Sequence, residues 1–79
     1  MKLICVRDKK NNDKEYINAG QIISFFGECF PNEEENRTYI YTSDQSVFIV
    51  KCDISIFVNF FNDEYQNIMC VFGVGRWKK

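Results

Sequence analysis

The sequence predicts an α+β fold, a small antiparallel sheet of about five strands packed on one helix in the C-terminal half. Three observations lead there. Short apolar runs are separated by turn-prone polar residues; two β-branched and aromatic runs flank the polar stretch Ser43, Asp44, Gln45 and Ser46; and one segment after Asp53 carries helical spacing.

The first strand covers Met1 to Arg7, because Leu3, Ile4, Cys5 and Val6 form a run too brief for a stable helix and Asn11, Asn12 and Asp13 then turn the chain. Its apolar content makes it a central strand. Glu15 to Ile17 is a second extended piece. Asn18, Ala19 and Gly20 make a tight bend before Gln21 to Phe30, where Ile22, Ile23, Phe25 and Phe26 restart the apolar pattern and Gly27 marks a bulge or bend. Pro31 stops pairing, and Glu33, Glu34 and Glu35 form an acidic surface loop. A calcium loop would instead space its oxygens at alternate positions around a glycine.

Arg37 to Ser43 and Val47 to Cys52 read as a hairpin, with Tyr39 and Tyr41 on one face and Thr38, Ile40 and Thr42 on the other. Asp53 is an N-cap for a helix from Ile54 to Asp63, whose residues Ile54, Phe57, Val58 and Phe61 recur at i, i+3, i+4 and i+7. Ile56 and Phe60 lie four apart and form a second apolar strip. Asn67 to Phe72 is the last strand, and 73–79, with two glycines and Arg76, Trp77, Lys78 and Lys79, is a tail.

One domain accounts for all 79 residues, since a chain this short has no room for a second core. With 46% hydrophobic and 16% aromatic residues it has the material for a packed core. Histidine is absent. Serine and cysteine nucleophiles usually rely on an imidazole base, and most catalytic zinc sites use one as ligand, so the composition points away from an enzyme and no catalytic, cofactor or metal site is assigned. Cys29 and Asp53 are the side chains an enzyme reading would use. The four cysteines lack the Cys-x-x-Cys spacing of a zinc site and lie in or beside apolar stretches, as small reduced hydrophobes do.

Ten basic against eleven acidic residues give a net charge of −1, which disfavours nucleic acid as partner. Leu3 to Val6 is shorter than a signal-peptide core, and no apolar span of about 18 residues occurs, so neither export nor membrane insertion is expected. The expected location is the cytoplasm of a bacterium or of a cell hosting a phage gene.

The remaining chemistry is adhesive. Tyr39 and Tyr41 form an aromatic pair open to a partner or, in an alternative reading, to stacked bases. Ile56 and Phe60 are a protein-partner or homodimer surface unless the tail, with Trp77 as the covering residue, folds over them. Trp77 beside Arg76 and Lys78 also has the composition of a weak membrane-surface anchor.

The succession of a strand, Tyr16-Ile17-Asn18-Ala19 with Ile22, Thr38-Tyr39-Ile40-Tyr41-Thr42, a polar turn, Phe48-Ile49-Val50 and a short helix resembles the FlbD/SwrD family of small flagellar and swarming-motility proteins over roughly residues 1–61. The same order is similar to part of LytTR-type DNA-binding domains, which makes a nucleic-acid-binding transcriptional regulator the alternative reading. The chain departs from the first family in its longer loops at 8–14 and 31–36, and from the second in lacking basic, base-reading segments. What the resemblance implies is a compact β-rich module that acts through contacts.

Overall fold

Period-two alternation in the apolar runs produces strands whose inner side chains meet one helix. The computed structural model describes residues 1–32 and 35–78, with six strands and one α-helix: β1 (Leu3–Asp8), β2 (Lys14–Asn18), β3 (Ile22–Glu28), β4 (Arg37–Thr42), β5 (Ser46–Lys51), α1 (Ile54–Asn62) and β6 (Ile68–Lys78). Glu33 and Glu34 of the expected acidic loop, and Lys79, lie outside the described residues.

The α+β class stands, but the sheet is mixed and has six strands, in the order β2-β1-β6-β5-β4-β3. β1, second from one edge, runs parallel to β6, with Ile4 opposite Met69 and Val6 opposite Val71; every other neighbouring pair is antiparallel. Two antiparallel units, the β1–β2 hairpin and the β3–β4–β5 meander, are thus joined only by the strand that follows the helix. Residues 73–78, expected as a tail, form its second half and pair with β5 as far as Lys78 opposite Ser46.

The glycines that looked like breakers serve this strand. Register shifts by one residue between Ile49 and Val50, whose partners are Gly75 and Gly73, so Val74 is the extra residue of a bulge. A Cβ at Gly73 would stand 2.7 Å from Val6 Cγ1, so only glycine lets β1 and β6 close there. Gly27 likewise marks a close approach and not a bend. A Cβ on it would lie 2.7 Å from Ile54 Cβ, so the first turn of α1 rests directly on the β3 backbone. The irregularity in β3 falls earlier, between Ile22 and Ser24.

One face of the sheet and the helix build the core: Ile4, Val6, Ile17, Ile40, Phe48, Val50, Cys52, Phe57, Phe60 and Met69, with Phe25 and Phe61 packed against them. The Phe25 ring centroid is 6.1 Å from Phe57 and 5.5 Å from Phe61. The helix is rotated relative to the face read from spacing. Phe60 is buried, at 1% exposure, while Val58 is 43% exposed. Lys2 explains part of this. Its ammonium sits 4.6 Å from the Phe60 ring centroid and donates to the carbonyls of Asp63 (2.6 Å) and Gln66, tying the start of β1 to the helix C-terminus. Among the described residues no helix is long and apolar enough to cross a membrane.

Candidate functional site

Because α1 covers one side of the sheet, the alternate residues of every strand form a second face without a helix. In register, one row across it reads Trp77, Val47, Tyr41 and Ser24, and the next Gly75, Ile49, Tyr39 and Phe26. Tyr39 stacks on Phe26 with ring centroids 4.6 Å apart and planes within 4°, and Tyr41 approaches the same ring at 5.9 Å. The Tyr39 hydroxyl donates to Glu28 at 3.3 Å, which fixes the ring's tilt. Ile49 is buried under these rings although it lies outside the helix-side core. A smaller aromatic cluster thus occupies the uncovered face. Phe26 in that cluster stays 45% exposed, and elsewhere on the same face Phe72 is 42% and Trp77 65% exposed.

A third row places charge beside the rings. Lys14 opposes Arg7, Arg7 opposes Phe72, and Phe72 opposes Lys51; Arg37 follows on β4, opposite Glu28 on β3. Cations therefore cross most of the sheet with Phe72 among them, a grouping invisible in the linear sequence because its members come from five strands. Lys9 adds an ammonium 5.9 Å from the Phe72 ring.

The sequence-derived candidates separate in space. Tyr39, Tyr41 and Trp77 share the uncovered face, with Trp77 and Tyr41 flanking Val47. Ile56, at 49% exposure, sits on the helix and lines an open depression of about 680 Å³ with Asn36, Asp53 and Ser55, which Lys51 and Phe72 of the cation row also border at the end of the sheet. Phe60 is a core residue and so cannot join Ile56 in a docking strip. Trp77, expected to cover that strip, is on the opposite side of the sheet. Sequence reasoning missed Phe26 and Phe72. Period-two alternation with Phe26 opposite Tyr39 was available in principle, but the pairing of strands was not.

Arg76 points to the helix side. It forms an ion pair with Glu15, and its guanidinium lies 4.9 Å from the Phe48 ring centroid. The two border an open cleft of about 840 Å³ that Val6, Gly73 and the 8–15 turn also line. Charges of both signs line it, Lys9, Lys10 and Lys14 with Asp8 and Asp13, and Lys14, on the edge strand, thus borders this cleft as well as the cation row.

The side chains of the enzyme reading have structural partners or open surroundings. Asp53 accepts from the Ser55 amide at 2.8 Å and from Asn36 Nδ2 at 2.6 Å; hydrogen bonding from the Ser55 side chain foremost, then from its amide and from Asn36, holds the carboxyl below the usual range. Asn36 is itself buried and accepts from the Phe30 amide at 2.8 Å, so the carboxylate anchors both the helix and the end of the β3–β4 connection. Cys29 is exposed. Burial, with the Asp53 charge next to it, pushes the Cys52 thiol up to about 11. All four cysteines are free. Among the described residues no three His, Cys, Asp or Glu side chains gather as a metal site would require.

Compared with protein-family models, curated proteins and solved structures, the chain matches none.

Proposed function

We propose that this chain is a non-enzymatic protein-binding module whose docking surface is the uncovered sheet face, and that copies associate through it. The observation that carries this reading is the stacked cluster of Phe26, Tyr39 and Tyr41, with Trp77 one strand further along the same row beyond Val47, on a face without a helix. A sheet with one solvated face ordinarily alternates apolar inside with polar outside, and here six of the eight outward positions in two successive rows, all but Ser24 and Gly75, are aromatic or aliphatic. Contiguous exposed apolar surface of this kind marks interaction sites. The resemblance to FlbD/SwrD proteins implies the same role; within its Tyr16-Ile17-Asn18-Ala19 stretch, Asn18 ends β2 and caps the following turn by accepting from the Gly20 amide at 2.9 Å. In this reading the module works in the cytoplasm of a bacterium or of a phage's host.

Sedimentation over a concentration series tests the reading, with wild type compared with Phe26→Ser/Trp77→Ser. The expected outcome is mass rising with concentration for wild type and a monomer for the double variant, both equally folded by circular dichroism. A wild type that stays monomeric at the highest concentration removes self-association.

The cation row favours one alternative, a regulator that binds single-stranded nucleic acid, since Arg7, Lys14, Lys51 and Arg37 flank aromatic side chains on the same face. Four phosphate contacts give a slope of about −3 in log affinity against log salt. A polyanion titration that shows no such slope discards it.

A further inference from the structure

On the uncovered face, the parallel register of β1 and β6 sets Cys5 of β1 directly beside Cys70 of β6, and Tyr16 of β2 beside Cys5 on the other side. Ile4, Val6 and Met69 belong to the helix-side core, so the alternation of both strands sends the two thiols to the same, opposite face. Cys70 is exposed, whereas Cys5 is 2% exposed beneath its neighbours. Tyr16 feels both sulfurs. Its phenol is raised above the ordinary value, first by the charge of Cys5, then by a hydrogen bond to it, with a smaller contribution from Cys70.

We propose that Cys5 and Cys70 form a vicinal dithiol that hydroperoxides close to a disulfide, making this pair an oxidative modification site. Neighbouring strands lie about 4.8 Å apart, inside the Cα window of roughly 4.4–6.8 Å that a disulfide spans. The preferred Cβ separation of about 3.8 Å is shorter than the strand spacing, so the bond draws the strands together, and strained disulfides are the readily reduced, regulatory ones. Such transient bonds are the kind found in reducing compartments.

Exposure assigns the order of events. The Cys70 thiolate attacks one peroxide oxygen, the O–O bond breaks, hydroxide leaves, and Cys70 becomes a sulfenic acid. Cys5 then attacks the Cys70 sulfur, the S–O bond breaks, and the departing hydroxide takes up a proton to leave as water. Two thiols have lost two protons and two electrons, and hydrogen peroxide has become two waters. Cys29 and Cys52 take no part: Cys52 is buried in the helix-side core, and both lie outside the β1–β6 register.

The experiment treats the folded full chain with a small excess of hydrogen peroxide at a concentration where it is monomeric, then alkylates under unfolding, non-reducing conditions. Expected are an intact mass lower by about 2 Da before alkylation, two alkylated cysteines in place of four, and a peptide linking Cys5 to Cys70 that dithiothreitol releases. Cys29→Ser keeps the link and Cys70→Ser abolishes it, leaving Cys5 alkylated. A Cys70 carried on to sulfinic acid with Cys5 still free, a link that joins two chains, or an equal yield of the Cys5–Cys70 link from chain unfolded in urea would each overturn the proposal. The result is independent of whether the aromatic face binds a protein, because it is read on the monomer.

Discussion

Replacing Phe60 and Ile56 by alanine, one at a time, separates a core position from a surface position four residues apart on the same helix. Phe60 is 1% exposed, ringed by Phe61 at 5.6 Å and capped by the Lys2 ammonium, while Ile56 is 49% exposed. Truncating a buried phenylalanine costs about 3–5 kcal/mol through lost transfer energy and the cavity left behind. A half-buried isoleucine forfeits about 0.8–1.5 kcal/mol, half of the ~1.5–3 kcal/mol for complete burial. A domain of this length has a total stability of about 4–12 kcal/mol, so the first change removes a large share of it and the second much less. Urea unfolding followed by circular dichroism reads both: the Phe60→Ala midpoint should fall by at least about 1 M, and Ile56→Ala by clearly less than that. Phe60→Asp should not fold, because a carboxylate at a core position adds an unpaired buried charge. Equal costs at the two positions would refute the helix orientation, and with it the assignment of Phe60 to the core and Ile56 to the surface.

Gly27→Ala tests the contact between helix and β3 by its sign. An unconstrained strand glycine would gain stability on acquiring a methyl, but a carbon 2.7 Å from the backbone-attached Cβ of Ile54 cannot be accommodated by a rotamer change, so a loss of about 1–3 kcal/mol is expected, visible as a fall in Tm of several degrees. Asp53 contributes to the stability curve in acid. Its folded-state carboxyl titrates below its unfolded value, so the stabilisation is present above the ordinary carboxylate range and is lost as pH falls through the lower, folded value. Asp53→Asn keeps an N-cap acceptor and should flatten the acid limb of Tm against pH, whereas Asp53→Ala should lower Tm at neutral pH too; an unchanged acid limb in Asp53→Asn counts against the assignment.

Local signals were the legible ones. The β4–β5 hairpin lies where the Thr, Tyr, Ile and Val alternation puts it, with Thr38, Ile40 and Thr42 buried and Tyr39 and Tyr41 turned the other way, and the helix begins directly after the cap at Asp53. What failed was non-local. Alternation in Leu3–Asp8 fixes which side chains share a face but not which strand lies alongside, so the parallel pairing with β6 has no signature in either segment. Gly73 and Gly75 read as the start of a tail because their role depends on Val6 and Ile49, which belong to other strands. The candidate site suffered from the same limit. Tyr39 and Tyr41 were visible, but Phe26, Phe72 and the cation row become neighbours only after five strands have been ordered. Phe60 was misplaced because two apolar strips compete on α1, and its rotation is settled by Lys2 and Phe61.

The strand Ile68–Lys78 acts as a keystone, holding Leu3–Asp8 on one edge and Ser46–Lys51 on the other. Until that segment has left the ribosome, the earlier hairpin and meander have no shared hydrogen-bond ladder, and each exposes a bare strand border ready to pair with a stranger. Native assembly therefore has to await a late-made piece closing a long-range junction, the kind of topology that folds slowly and calls for protection in the interval.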